Sequence, residues 1–169
     1  MMPRSPAFKP LALAALLALS LGACARDPNA GDLGAVGPGG AAGLAGPGSV
    51  AEFNASIGDR VFFDSDSSEL SPTAVATLDK QAVWLAKYGS YAFTLEGHAD
   101  ERGTREYNFA LGQRRSETVK AYLVAKGVSV SRMKTISYGK ERPVAVCDDI
   151  SCWSQNRRSV TVLAGAPGS

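Results

Sequence analysis

The stretch "EGHADERGTREYNFALGQRR", Glu96 to Arg115, is unusually dense in polar and charged groups and contains the only histidine, His98. His98 invites a general-base or metal-ligand reading. No Ser or Cys in the chain has the elbow or triad context that a nucleophile needs, so catalysis lacks its partner. Glu96, Asp100 and Glu101 invite comparison with a glycosidase acid pair. A predicted strand end separates Glu96 from Asp100, and nothing else supports hydrolysis. "DSDSSE" from Asp64 echoes a calcium loop, yet Glu69 stands where the loop needs Gly and Val75 where it needs its bidentate Glu. His98 therefore reads as a partly buried hydrogen-bonding support. No enzymatic residue, metal ligand or cofactor is assigned.

The informative residue is Arg115. Leu111, Val119 and Leu123 form an apolar stripe at steps of four, and position 115 falls in the same register. A long cation on the sheet-facing side of a helix is costly unless paired or partly solvated. Asp100 is the candidate anion. Two readings stand: a structural Asp100–Arg115 pair that fixes the loop, or a planar fork offered to a ligand carboxylate while Asp100 holds a ligand ammonium.

These residues need elements to position them. "RVFF", Arg60 to Phe63, reads as a short strand, followed by a loop. Ser71 before Pro72 is a helix-start signature, and Val75, Leu78, Ala82 and Leu85 make 72–87 amphipathic. Tyr91, Phe93 and Leu95 alternate through a strand over 91–97. A second helix is expected over 106–126, stopped by Gly127. Further strands are expected over 133–138 and 158–163. The order βαβαββ predicts an α+β sandwich, with two helices packed on one mixed four-stranded sheet. The domain is assigned to 52–169.

Residues 1–23 read as an export signal. Arg4 and Lys9 precede the apolar run Leu11 to Ala23. That run spans roughly 20 Å as a helix, short of the ~30 Å hydrocarbon layer. "LGAC" resembles a bacterial lipobox, with Cys24 as the lipidated first mature residue. By analogy with Gram-negative lipoproteins, Ala25 after it implies outer-membrane sorting, with the domain facing the periplasm. Several acyl chains make a durable anchor. The chain carries 18 Lys and Arg against 16 Asp and Glu; removing the signal leaves 16 bases against 16 acids. A basic field for nucleic acid is therefore absent. Residues 24–51 hold Cys24 and a linker of Gly, Ala and Pro with little to bury. The 27 residues after Cys24 would span about 30 Å as a coil.

"EGHADERGTREYNFALGQRRSETVKAYLVAKGV" resembles the core motif of the OmpA-like peptidoglycan-binding domains, in particular the peptidoglycan-associated lipoproteins. "VFFDSDSSELSPTA", "ISYGKERPV" and "NRRSVTVL" extend the resemblance over about 52–163. It implies a noncatalytic tether that binds the diaminopimelate-type stem peptide of peptidoglycan and holds the outer membrane to the wall. It also implies partnership with the propeller protein TolB and other Tol proteins in envelope integrity and constriction at division. A protein-partner module with minor wall binding is the alternative; a wall-modifying enzyme is a third. By the same resemblance, Asp100 and Arg115 grip the ligand's free amino-acid end. Phe63 and Asp64 are expected to supply backbone N–H groups, while Thr104, Asn108 and Leu111 line or order the cradle. Arg157 or Arg158 adds positive potential. On this reading Arg115→Ala and Asp100→Ala fold normally and lose wall binding.

Cys147 and Cys152 enclose "DDIS" and lie outside the general family pattern. In an exported chain they read as a short-loop disulfide, with two free thiols as the alternative. Zinc would need two more ligands.

Overall fold

The structure is a computed structural model that describes residues 46–164. The expected export signal 1–23, the expected lipidation site Cys24 and residues 25–45 of the expected linker lie outside the described residues.

Ordered structure is present ahead of residue 52. Helix α1 (Val50–Glu52) is capped by Ser49, whose hydroxyl accepts from Glu52 N–H at 3.1 Å, and it continues as a π-helical turn over Phe53–Gly58. Tyr91 OH donates to the Gly48 carbonyl at 2.7 Å, and Trp84 Nε1 donates to the Glu52 carboxylate at 2.9 Å. Phe53 is fully buried, its ring 4.9 Å from that of Trp84. Composition hides this segment because residues 46–51 contribute backbone groups and caps rather than large side chains.

The remaining elements are β1 (Arg60–Phe62), α2 (Pro72–Lys87), β2 (Phe93–His98), α3 (Arg105–Ala125), β3 (Met133–Gly139), α4 (Ile150–Asn156) and β4 (Arg158–Leu163). The sheet order is β1-β4-β2-β3. β2 and β3 are parallel, and β4 runs antiparallel to both of its neighbours. The mixed four-stranded α+β sheet is as expected. Two short helices, α1 and α4, add to the two predicted. α4 occupies what reads as a loop, because seven residues are too few to show helical periodicity. Its cap, Asp149, accepts from Ser151 N–H at 2.7 Å.

α2 and α3 cover one face of the sheet. Leu78, Leu85, Val119 and Leu123 from the helices meet Phe93 and Leu95 of β2, all essentially buried. Each such side chain contributes about 1.5–3 kcal/mol. One contact sets the spacing. A Cβ on Gly97 would lie 1.8 Å from the Gly112 carbonyl oxygen, so α3 touches β2 backbone to backbone there. Position 115 follows one helical turn later, close to the end of β2.

Candidate functional site

Arg115 is wholly buried. The Gly97–Gly112 approach carries it over the end of β2, where Nη1 donates to the His98 carbonyl at 2.7 Å. Nε donates to the Ser67 carbonyl at 2.8 Å and Nη2 to the Asp64 carbonyl at 3.1 Å. The guanidinium also lies 5.2 Å from the Phe63 ring centroid. The cation is thus satisfied by backbone oxygens of two segments and ties the loop after β1 to the end of β2. Among the described residues it makes no ion pair with Asp100, so the structural-pair reading is replaced. Nor is the whole fork free: three of its five N–H groups are engaged and two remain. Burial first, then Arg157, pushes its pKa down to about 10, against the pull of Asp100 and Asp66; it stays cationic at neutral pH.

Asp100 has other partners. Arg102 Nη2 reaches its Oδ2 at 2.7 Å, and Arg157 Nη1 reaches the same oxygen at 3.2 Å. Arg102 N–H and Nε approach Oδ1 at 3.2 and 3.3 Å. Burial works to raise the Asp100 carboxyl, but these bonds outweigh it and hold the group below the usual carboxylate range. A ligand ammonium here would share an already well-bonded carboxylate.

Asp100 and Arg115 nevertheless line one cavity of about 210 Å³, with Asn108 and Leu111 of α3. Asn108 Nδ2 donates to the Arg102 carbonyl at 2.6 Å, which braces the loop before the helix. Thr104 orders rather than lines: its hydroxyl caps α3 by accepting from Tyr107 N–H at 3.2 Å. Phe63 and Asp64 do not line this cavity. They border a neighbouring hollow of about 430 Å³, and Arg157 belongs to both. Phe63 N–H is not available to a ligand, because it donates to the Arg157 carbonyl at 2.9 Å. Arg157 Nε returns a bond to the Phe63 carbonyl at 3.0 Å. Arg158 turns elsewhere, to the carbonyls of Asn156 and Arg142.

Five cavity residues escaped the sequence reading: Ser65, Asp66, Arg102, Gly103 and Tyr107. Tyr107 OH meets the Asp66 carboxylate, and Asp66 has a left-handed backbone with φ of 57°. Their only signal was proximity to the motif. His98 also differs from expectation. Its ring is buried, and neither nitrogen has a hydrogen-bond partner among the described residues. Glu96 Oε2 stands 3.6 Å from Nε2, too far for a hydrogen bond. Burial, reinforced by Arg158, Arg142 and Arg60, pushes its pKa down to about 4, so the ring is neutral at pH 7. Cys147 and Cys152 are disulfide-bonded, with Cα atoms 5.7 Å apart.

The cavity therefore presents Asp66 and Asp100 beside Arg102, Arg115 and Arg157. This balance suits a small ligand end that carries both signs of charge. The cavity's serine, Ser65, accepts from Arg102 Nη2 at 2.7 Å.

Comparison with known proteins agrees with this fold. The family model described as OmpA family matches residues 62–157. The peptidoglycan-associated lipoprotein of Rhizobium meliloti (strain 1021) is 59% identical over 160 residues, covering 95% of this chain and 90% of the relative. That of Agrobacterium fabrum is 58% identical over 164 residues, covering 95% and 90%. The crystal structure of the peptidoglycan-associated lipoprotein from Burkholderia pseudomallei superposes with a TM-score of 0.63 at 39% identity, covering 66% of this chain and 96% of that one. The C-terminal domain of Helicobacter pylori MotB, at 19% identity and a TM-score of 0.59, shares the fold alone. The chain belongs to the OmpA family.

Proposed function

We propose that this chain is a noncatalytic, lipid-anchored tether whose periplasmic domain grips the free amino-acid end of a diaminopimelate-type wall peptide. One observation carries the reading: two aspartates and three arginines converge on a single small cavity. At about 210 Å³ it is smaller than the ~300–1,000 Å³ of sites that enclose whole drug-sized molecules, which favours the tip of a ligand over a sugar chain. The ligand ammonium meets Asp100; its carboxylate meets the positive side formed by Arg102, Arg157 and the remaining N–H groups of Arg115. Charge-assisted bonds of this kind contribute about 1.5–3 kcal/mol each, reduced by the cost of ordering. Single grips are reversible, and many copies in one membrane make a firm attachment. Lipidation at Cys24, outer-membrane placement and association with TolB and the Tol system in constriction rest on the likeness to the peptidoglycan-associated lipoproteins.

The test is cosedimentation with isolated peptidoglycan. Asp100→Asn keeps the shape and removes the charge. It should stay folded and lose at least about tenfold in binding. Wild-type retention by this variant would sink the site, and release of soluble wall fragments by the wild type would restore the enzymatic reading. Cys24→Ser should move the protein from the membrane to the soluble fraction.

A further inference from the structure

The segment between β3 and β4 reaches the cavity from outside. The Cys147–Cys152 disulfide closes the turn that leads into α4, and Trp153 follows directly. Its indole N–H donates to the Glu101 carboxylate. Its ring face carries the Arg102 guanidinium, 4.3 Å from the centroid. Arg102 in turn bonds Asp100 Oδ2 and Ser65 Oγ, both at 2.7 Å. The base of the segment is also closed: Asn156 Oδ1 accepts from Val144 and Ala145 N–H at 2.9 and 3.2 Å. Arg102 is 43% exposed in its side chain. An arginine so exposed has many rotamers open to it, and the aromatic face selects one.

We propose that Trp153, held by the Cys147–Cys152 disulfide, is a positioning residue for the wall-peptide site: it fixes Arg102 across the cavity edge and thereby orients Asp100. The role rests on the wall-binding reading. It gives the disulfide a task, since the bonded loop presents the indole to the "ADERG" turn rather than merely stiffening a surface segment.

The experiment uses the full mature chain with Cys24→Ser and saturation binding to isolated peptidoglycan, beside thermal melting. Trp153→Leu keeps apolar bulk and removes the aromatic face; binding should weaken roughly tenfold with the melting transition close to wild type. Trp153→Phe keeps a face and should stay within about threefold. Cys147→Ser with Cys152→Ser should fall between the two. Because Trp153 acts through Arg102, Trp153→Leu added to Arg102→Ala should weaken binding no further than Arg102→Ala alone. Wild-type binding by Trp153→Leu, or losses that multiply in the double variant, would overturn the role while leaving the wall-binding reading intact. A wild type that does not bind peptidoglycan would overturn both.

Discussion

Arg115 and Arg132 are held in the same manner, one beyond each end of β2. Arg115 donates to the carbonyls of Ser67, His98 and Asp64; Arg132 donates to those of Tyr91, Leu85 and Tyr88 at 2.8, 3.0 and 3.1 Å. Each stands near an aromatic ring, Phe63 for one and Phe93 for the other. Neither makes an ion pair among the described residues. The surroundings separate them. Burial alone lowers the Arg132 pKa, whereas Arg115 also feels Arg157, Asp100, Asp66 and Arg114. A carbonyl cage around an arginine is therefore a fold device that this chain uses twice. What marks one cage as a candidate binding site is the set of opposed charges and the hollow built over it.

Cutting each cage tests that distinction. Arg115→Ala should have the largest effect, a loss of about 3–4 kcal/mol in denaturant unfolding, because a wholly buried cation is removed and the buried His98 carbonyl loses its charged donor. This differs from the sequence expectation that the variant folds normally. Arg132 is itself only half-buried, so Arg132→Ala should cost about 1–2 kcal/mol, while the folded variant binds peptidoglycan like wild type. Reduced binding by folded Arg132→Ala would show that the cages are not functionally distinct.

The smallest effect concerns His98, whose carbonyl belongs to the Arg115 cage. Its folded pKa of about 4 lies below the ordinary 6.5, so the unfolded chain takes up the proton first as pH falls. The stabilising contribution of the neutral ring is complete above pH 6.5 and is lost progressively between 6.5 and about 4. Stability measured across that window should decline in the wild type and flatten in His98→Asn. An unchanged slope in the variant would assign the decline to other groups.

Local patterns were legible wherever a few neighbouring residues decide the outcome. Ser71 and Pro72 start α2, the apolar spacing carries it to Lys87, and "RSVTVL" is β4 from end to end. The break in the apolar stripe singled out Arg115, because an arginine facing the sheet must find acceptors whatever they are. Side-chain type alone, however, does not distinguish a ligand fork from a carbonyl cage. Every carbonyl looks alike in sequence, and those bound by Arg115 lie 17, 48 and 51 positions away.

Asp100 shows the same limit. Arg102, two residues on, was close enough to suspect, but Arg157 is 57 positions distant and reaches it only because β4 inserts beside β2. The small residues that close the fold were equally silent. Gly97 and Gly112 matter through the side chains they lack, and Gly48 matters through the oxygen it offers Tyr91. Periodicity and capping are written in adjacent residues and could be read directly. Strand order, backbone contact and the choice of partner for each charge arise when distant segments meet, and only the folded chain decides them.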